Sequence, residues 1–173
     1  WDKGKRWGFE VKLPPQVDCS IAEPDTKLPV AEWIKRGYTP LTHKPTREEL
    51  VEQASLFLPA GLKGPAFLTL NNFYVFKGYN FADLYALFVG NLSDRIAGGG
   101  SFATPWGKIE QARSDQIETI QRHHTETGFY RDKIDGKAGM KTRAALGAWQ
   151  KANGATLDCW PSAALAQRMS AAR

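Results

Sequence analysis

The sequence predicts an α+β fold in which a small β-containing region and a core helix precede three short helices. Up to about residue 80, short stretches of strand and helix character alternate, whereas beyond residue 107 the apolar spacing is helical throughout. The segment Ala97 to Gly107 joins the two parts and contains Gly98, Gly99 and Gly100 followed by Pro105. We therefore expect a first domain over 1–97, a linker over 98–107 and a second domain over 108–173.

The first part opens with a strand and two short helices. Residues 7–14 alternate aromatic and polar side chains, which predicts a strand that ends at two prolines. Residues 28–37 predict a short helix with Pro29 near its first turn and Gly37 at its C-terminal end. Thr46 followed by Glu49 has the spacing of a capping box and predicts another helix start.

An aromatic segment and a longer helix complete this part. Residues 64–79 are rich in aromatic and β-branched side chains and predict one or two strands. Residues 83–96 carry apolar side chains at helical spacing and predict the core helix. Tyr79 and Asn80 stand just before this helix, where such a polar pair has two interpretations. In one interpretation, Asn80 caps the turn and two tyrosines, Tyr79 and Tyr85, lie at the edge of the core. In the other, the Tyr79-Asn80 pair faces a ligand.

Three helices are predicted in the second part. Ser114 is a candidate cap for a helix that runs to Gly128, and a second helix begins at Met140 and ends before Gly154. Pro161 and Ser162 begin the third. Their small and apolar residues favour a closely packed bundle.

Composition excludes several classes of protein. With 42% hydrophobic and 24% charged residues, the 173-residue chain is typical of a globular protein, and no apolar run is long enough to cross a bilayer. The net charge is +5, and residues 106–173 carry most of it, with 11 Lys and Arg against 7 Asp and Glu. This basic part predicts an anionic partner, but no Lys/Arg cluster of the kind that follows nucleic acid is present. His43, His123 and His124 do not have metal-ligand spacing, so we expect no metal or cofactor.

The two cysteines allow two interpretations. Cys19 and Cys159 lie one in each part of the chain, and neither belongs to a C-x-x-C motif. They are either two unpaired small apolar residues, which we favour from the sequence, or the two ends of an interdomain disulfide.

The second part resembles the helical peptidoglycan-binding domain of bacterial cell-wall hydrolases. The resemblance covers about residues 110–170 and rests on Gly128-Phe129, Ile134-Asp135-Gly136, Gly139, Thr142, Ala145-Leu146 and Trp149-Gln150. Much of this signature serves turns and packing, so the candidates for ligand contact are Tyr130, Arg131, Arg143 and Gln150. The family usually has Asp-Gly where this chain has Asp158-Cys159, and we expect that turn to differ, because a positive φ disfavours Cys.

Most of residues 5–98 resembles the membrane-bound lytic transglycosylase B family. The stretches WGFEVKLP, AEWIKRGY, LFLPAGLKGPAFLTLNNF and YNFADLYALFVGNLSDRIAG carry the resemblance. A Y-N-x-S-x-x-Y-A pattern lines the glycan cleft in that family, and Tyr79, Asn80, Tyr85 and Ala86 match it, with Ala82 in place of the serine. The resemblance thus implies a lysozyme-like fold and substrate contact by Tyr79, Asn80 and Tyr85.

The resemblance also implies a function. Family members cleave the MurNAc-GlcNAc bond of murein with one glutamic acid and form a 1,6-anhydroMurNAc product. That glutamate lies in a Glu-Ser/Thr-x-x-Gly motif earlier in the family's chain, and no such motif occurs here. We interpret Glu10, Glu32, Glu48, Glu49 and Glu52 as solvated or capping, and expect no catalytic residue in this chain.

The implied partners are the glycan strands and stem peptides of peptidoglycan, in the periplasm or bacterial cell envelope. The chain starts at Trp1 without a visible signal peptide, which indicates a piece of a longer product whose N-terminus is the place for a lipid anchor. Two alternatives are a non-catalytic peptidoglycan-binding or scaffold protein and a lysozyme-type hydrolase.

Overall fold

The computed structural model describes residues 1–110 and 112–171 and combines helices with one antiparallel sheet. The strands are β1 (Gly8–Lys12), β2 (Leu28–Pro29), β3 (Thr39–Pro40), β4 (Gln53–Phe57), β5 (Pro59–Leu62) and β6 (Ala66–Thr69). The sheet has five strands in the order β2-β4-β6-β1-β3. The helices are α1 (Val30–Lys35), α2 (Arg47–Val51), α3 (Asn71–Tyr79), α4 (Asp83–Ile96), α5 (Ser114–Glu126), α6 (Met140–Ala152) and α7 (Ala163–Ala171), with a 3-10 helix at Cys19–Ile21.

Local sequence signals correctly predict several element ends. Pro29 precedes α1 as its N-cap, and Gly37 follows with a φ of 93°. The capping box of α2 is confirmed, since the Glu49 N–H donates to Thr46 Oγ1 at 3.2 Å and Thr46 N–H donates to Glu49 Oε2 at 2.8 Å. Helix α4 has the predicted bounds. Ser114 was a wrong choice of cap, because Arg113 is the N-cap of α5 and Ser114 Oγ donates to the Gly136 carbonyl at 3.2 Å.

The aromatic segment 64–79 is only half strand, which corrects the sequence interpretation. Strand β6 ends at Thr69, and α3 begins two residues later. Helical packing places the Phe73 ring 5.2 Å from Phe57 and 6.2 Å from Trp7, between centroids, in the interior. The buried Asn72 side chain donates to the backbone carbonyls of Asp2 and Lys5. These contacts come from distant parts of the chain, so local composition does not report them.

The sheet separates two apolar clusters. Leu56 and Leu68 belong to one cluster with Trp33. Phe57 and Phe67 belong to the other, which also includes residues of α4. The division follows from strand geometry, because successive side chains of a strand point to opposite faces. Helix α4 is thus held against the Phe57 side of the sheet.

A disulfide joins the two parts of the chain. Cys19 and Cys159 are bonded across 140 residues with their Cα atoms 6.1 Å apart, so the favoured interpretation of unpaired cysteines was wrong. Helix α6 packs on the 3-10 helix that contains Cys19, and Gly147 of α6 leaves room for the Cys159 sulfur. A side chain at position 147 would collide with that sulfur.

The Gly/Pro segment lies against the first part of the chain. The Phe102 ring packs 4.9 Å from the Phe67 ring, between centroids, and Gly107 N–H donates to the Lys63 carbonyl at 2.8 Å. The division into domains at 98–107 stays a prediction, but several contacts of the described residues cross it.

Two turns in the helical part share one construction. Gln121 Oε1 accepts from the N–H groups of Asp135 and Gly136, and Gln150 Oε1 accepts in the same way from Asp158 and Cys159. Gly136 has a φ of 67° and Cys159 a φ of 50°. The expectation that the second turn differs was therefore wrong, because Cys159 adopts the left-handed conformation that its glycine counterpart has.

Candidate functional site

The candidate site is the corner where α3 ends and α4 begins. Asn80 terminates α3 with an extended backbone, and its N–H still donates to the Phe76 carbonyl at 3.0 Å. Its side-chain oxygen accepts from the Ala82 N–H at 3.0 Å and closes a short turn before α4. The side-chain oxygen of Asn80 therefore has the turn role that one interpretation predicts. The side-chain amide nitrogen of Asn80 has no hydrogen-bond partner among the described residues.

Two tyrosines flank this turn with their rings close to parallel. The centroids of Tyr79 and Tyr85 are 6.2 Å apart, and the ring planes differ by 29°. Tyr79 is 87% exposed and Tyr85 is half-buried, so Tyr79 is not an edge-of-core aromatic. The structure brings Tyr79, Asn80 and Tyr85 together at the surface. Flat aromatic faces beside an amide form the type of surface on which a sugar ring stacks and hydrogen bonds.

Below this turn, a buried carboxylate fixes the start of α4. Asp83 Oδ1 accepts from Lys77 Nζ at 2.6 Å, and Oδ2 accepts from Met140 N–H at 2.9 Å and Arg143 Nη2 at 3.1 Å. Lys77 lies in the last turn of α3, whereas Met140 and Arg143 belong to the first turn of α6. An anion at a helix N-terminus is favourable, since the first N–H groups of the helix have no internal acceptor. One side chain thus connects both sides of the corner to the helical part.

Arg143 is an interior residue in this structure. Its side chain is 6% exposed, and its guanidinium carbon lies 5.6 Å from the centre of the Phe57 ring. Burial lowers the pKa of Arg143, and the Asp83 carboxylate opposes that effect. The Arg143 candidate from the sequence therefore lies inside the protein, where it pairs with Asp83.

The other candidates of the helical part have different surroundings. The Tyr130 hydroxyl donates to the Lys133 carbonyl at 2.8 Å, and burial raises the pKa of this tyrosine. Gln150 is buried with its amide committed to the Asp158-Cys159 turn, whereas Arg131 is exposed. None of the four candidates lines the open hollow of about 450 Å³ between α5 and α7, which is formed by Asp115, Gln116, Thr119, Ala166, Gln167, Ser170 and Ala171.

The five glutamates that the sequence predicts to be solvated or capping have three kinds of surroundings. Glu10 is neither solvated nor capping, because it is buried and accepts from the N–H groups of Ala103 at 2.6 Å and Thr104 at 2.7 Å. It fastens the Gly/Pro segment to β1. Glu49 belongs to the capping box and also bonds His43 Nε2 at 2.7 Å. The remaining three lie at least partly exposed, and Glu32 and Glu52 form ion pairs with Arg36 and Lys5.

The first part of the chain matches a known protein family. The profile of the transglycosylase SLT domain matches residues 1–94, which include β1 to β6, the Tyr79 corner and most of α4. The chain belongs to this transglycosylase SLT family.

Solved structures extend the likeness of this SLT-family chain beyond residue 94. SltB3 from Pseudomonas aeruginosa in complex with NAG-anhNAM-pentapeptide gives a TM-score of 0.81 at 38% identity. Its complex with NAG-NAM-pentapeptide gives 0.80 at 41% identity. Both alignments cover 98% of this chain and 46% of the SltB3 chain, so the present chain spans less than half of that relative. No curated protein matches significantly.

Among residues 1–110 and 112–171, no group of three His, Cys, Asp or Glu side chains is arranged to hold a metal ion. In the same ranges, no helix has the length and apolarity needed to cross a membrane.

The sequence did not single out Lys77 and Asp83 as partners. They lie six residues apart on either side of the turn, a spacing that could have suggested an ion pair across the corner. The role of Arg143 depends on the docking of α6, for which no sequence signal was available.

Proposed function

We propose that this chain forms the glycan-binding portion of a lytic murein transglycosylase of the membrane-bound B type. The observation that carries the proposal is the exposed Tyr79–Tyr85 ring pair with Asn80 between them, within a member of the SLT family. The SltB3 complexes support it, since that relative was solved with NAG-anhNAM-pentapeptide and with NAG-NAM-pentapeptide. The proposed substrate is therefore the glycan strand of peptidoglycan with its stem peptides.

The proposed reaction needs one carboxylic acid. The acid protonates the glycosidic oxygen between N-acetylmuramic acid and N-acetylglucosamine, and the bond from C1 to that oxygen breaks. The muramyl 6-hydroxyl then closes on C1 and gives its proton to the resulting carboxylate, which produces the 1,6-anhydro sugar. We place this acid on polypeptide outside the present chain, because the family's Glu-Ser/Thr-x-x-Gly motif does not occur in this sequence.

The residues of this chain bind and orient the sugar in this scheme. The Tyr79 and Tyr85 rings provide flat faces for a pyranose ring, and the Asn80 amide nitrogen is free to donate to an N-acetyl carbonyl or a hydroxyl. The buried Asp83 holds the beginning of α4, so the turn with Asn80 does not need to be ordered by the ligand.

We assign the helical part to peptidoglycan binding, with exposed Arg131 as the strongest remaining contact candidate. The net positive charge of residues 106–173 suits an acidic wall polymer. The proposed location is the periplasmic side of the bacterial envelope, with a lipid anchor on an N-terminal segment.

The test measures binding of a NAG-anhNAM-pentapeptide to the chain by calorimetry and the release of products from purified sacculi. Tyr79→Ala and Asn80→Ala are expected to weaken binding about tenfold each, in line with one stacking or hydrogen-bonding contact. Val51→Ala is the matched control, since Val51 is 73% exposed on α2 and belongs to no proposed contact.

The products separate the proposal from its alternatives. Binding without release of anhydro-muropeptides by the chain alone is the expected result. Release by the chain alone would contradict the placement of the acid, and reducing-end products would indicate a lysozyme-type hydrolase. Binding that is unchanged in both corner variants would contradict the glycan site itself and would favour a scaffold protein that attaches through the helical part.

A further inference from the structure

Helix α6 of the helical part places two side chains in the interior of the first part, beneath the corner. Met140 is 2% exposed and belongs to the same apolar cluster as Phe57 and Leu87. The Arg143 guanidinium lies over the Phe57 ring, on the side of the sheet that holds α4. The interior beneath the corner is therefore completed by residues from the second part of the chain.

Asp83 is the residue through which α6 acts on the corner. It follows directly after the turn that Asn80 closes, and it accepts from the Met140 N–H at 2.9 Å and from Arg143 Nη2 at 3.1 Å. The remaining donor to this carboxylate among the described residues is Lys77 of α3. The Asp83 side chain is 7% exposed, so the loss of a donor leaves a buried charge incompletely paired.

The turn itself has few restraints of its own. Residues 78–82 are exposed, and the hydrogen bonds within the turn join near neighbours, such as the Ala82 N–H and the Asn80 side-chain oxygen. Ala82, the N-cap of α4, has no side-chain capping bond. Exposed backbone with few buried contacts opens at a low free energy. The conformation of the turn therefore depends on where the buried Asp83 fixes the start of α4.

Other contacts hold α6 on the first part along its length. Gly147 packs against the 3-10 helix beside the Cys19–Cys159 disulfide. One turn later, Lys151 Nζ donates to Asp18 Oδ2 at 2.6 Å. These contacts do not involve the first turn of α6. They keep the helix in place even when a contact between its first turn and the corner is removed.

We propose that α6 positions the glycan-binding corner, with Arg143 as the positioning residue that acts through Asp83. The helical part is then a component of the glycan site as well as a wall-binding module. The inference rests on the proposed function, because it assigns a cause to the order of the corner that binds the sugar.

A population argument gives the expected effect on binding. When only a fraction f of the molecules has the competent turn, the apparent Kd equals the intrinsic Kd divided by f. The Arg143 side chain is 6% exposed and lies beneath the corner, so its removal acts on f and not on a contact with the sugar. Loss of one hydrogen bond to a charged group shifts such an equilibrium about tenfold.

Arg143→Met is the test variant, and Arg122→Met is its matched control. Met has an apolar side chain suited to the interior, and two donors to Asp83 remain after the change. Arg122 also forms an ion pair within the helical part, with Glu118, but this pair is exposed on α5. Both variants are compared with the parent chain in their binding of NAG-anhNAM-pentapeptide by calorimetry.

We expect Arg143→Met to weaken binding about tenfold and Arg122→Met to leave it unchanged. Arg143→Lys keeps a cation beside Asp83 and should lie between the parent and Arg143→Met.

Native-state hydrogen exchange separates positioning from a general loss of stability. The reporters are the backbone amides of Asn80, Ala82 and Tyr85, which donate the hydrogen bonds of the turn. In Arg143→Met, these amides should exchange about tenfold faster. Local opening of the turn does not require unfolding of the chain. A merely structural role of Arg143 would therefore accelerate the amides of β4 and β6 and leave the rates at the corner unchanged.

The two measurements distinguish this inference from the proposed function. Unchanged corner exchange in Arg143→Met would overturn the inference, whether or not binding is weaker, and binding by the parent chain would still support the proposed function. Faster corner exchange in a chain whose parent does not bind the pentapeptide would support positioning of the corner by α6 and contradict the proposed glycan site.

Discussion

Replacement of Asp83 by Asn is expected to destabilise the whole chain, because the buried Arg143 then has no counter-charge. The Asp83 and Arg143 side chains are 7% and 6% exposed, and the carboxylate accepts from Lys77, Met140 and Arg143. Removal of one partner from a buried ion pair costs about 3–5 kcal/mol. Asn retains one acceptor for the Met140 N–H, so we expect a value near the lower end, about 3 kcal/mol.

Urea denaturation followed by circular dichroism measures this loss. Asp115→Asn is the matched control, because its pair with Arg113 is exposed at 66% and 75%, and it should leave the urea midpoint nearly unchanged. The thermal midpoint of Asp83→Asn should fall by about 10 °C for a chain of this length.

A double-mutant cycle with Arg143→Met tests the cause. Once the guanidinium is absent, Asp83→Asn should cost about 1 kcal/mol, which gives a coupling energy of about 2 kcal/mol. Additive effects, or a loss for Asp83→Asn no larger than that for Asp115→Asn, would refute the argument that the two charges depend on each other.

Three further predictions concern the disulfide, a buried histidine and the exposed tyrosine. Reduction of Cys19–Cys159, which closes 140 residues, should lower the free energy of unfolding by about 5 kcal/mol in the chain-entropy estimate, measured by urea denaturation with and without reductant; equal midpoints would contradict it. Burial, and secondarily the neighbouring His123, lowers the pKa of His124 from 6.5 to about 4, so the fold favours the neutral ring. Stability should be complete above pH 6.5 and decline by about 3 kcal/mol as pH falls to about 4, and His124→Leu should remove this dependence. Tyr79→Ala should alter unfolding by less than about 0.5 kcal/mol, because Tyr79 is 87% exposed, and a larger loss would show that the ring has a structural role.

The environment of His124 shows that helical spacing locates a side chain but does not determine its protonation. Helical spacing places His124 on the inner side of α5, together with Ile117 and Ile120. Its ring lies 5.6 Å from Trp149 and 6.4 Å from Phe129, between centroids, and neither ring nitrogen has a hydrogen-bond partner among the described residues. Only the packing of α6 and the Phe129 turn around it makes this histidine a neutral core residue.

The sequence by itself determined the features that depend on neighbours in the chain. The capping box at Thr46, the left-handed residue Gly37 and the bounds of α4 follow from contacts within a few residues. The match of Tyr79, Asn80 and Tyr85 to a known pattern also requires only their spacing. These signals were sufficient to predict an α+β fold and to locate the corner.

Tertiary structure alone decided which of these residues face solvent and which are paired. The strand interpretation of residues 71–79 failed because Phe73 and Asn72 are fixed by partners as distant as Trp7 and Asp2. The docking of α6 turns Arg143 from a surface candidate into the buried partner of Asp83, and it brings Cys159 to Cys19. Burial and pairing depend on residues that are remote in sequence, and no local pattern specifies which remote surface a helix will meet.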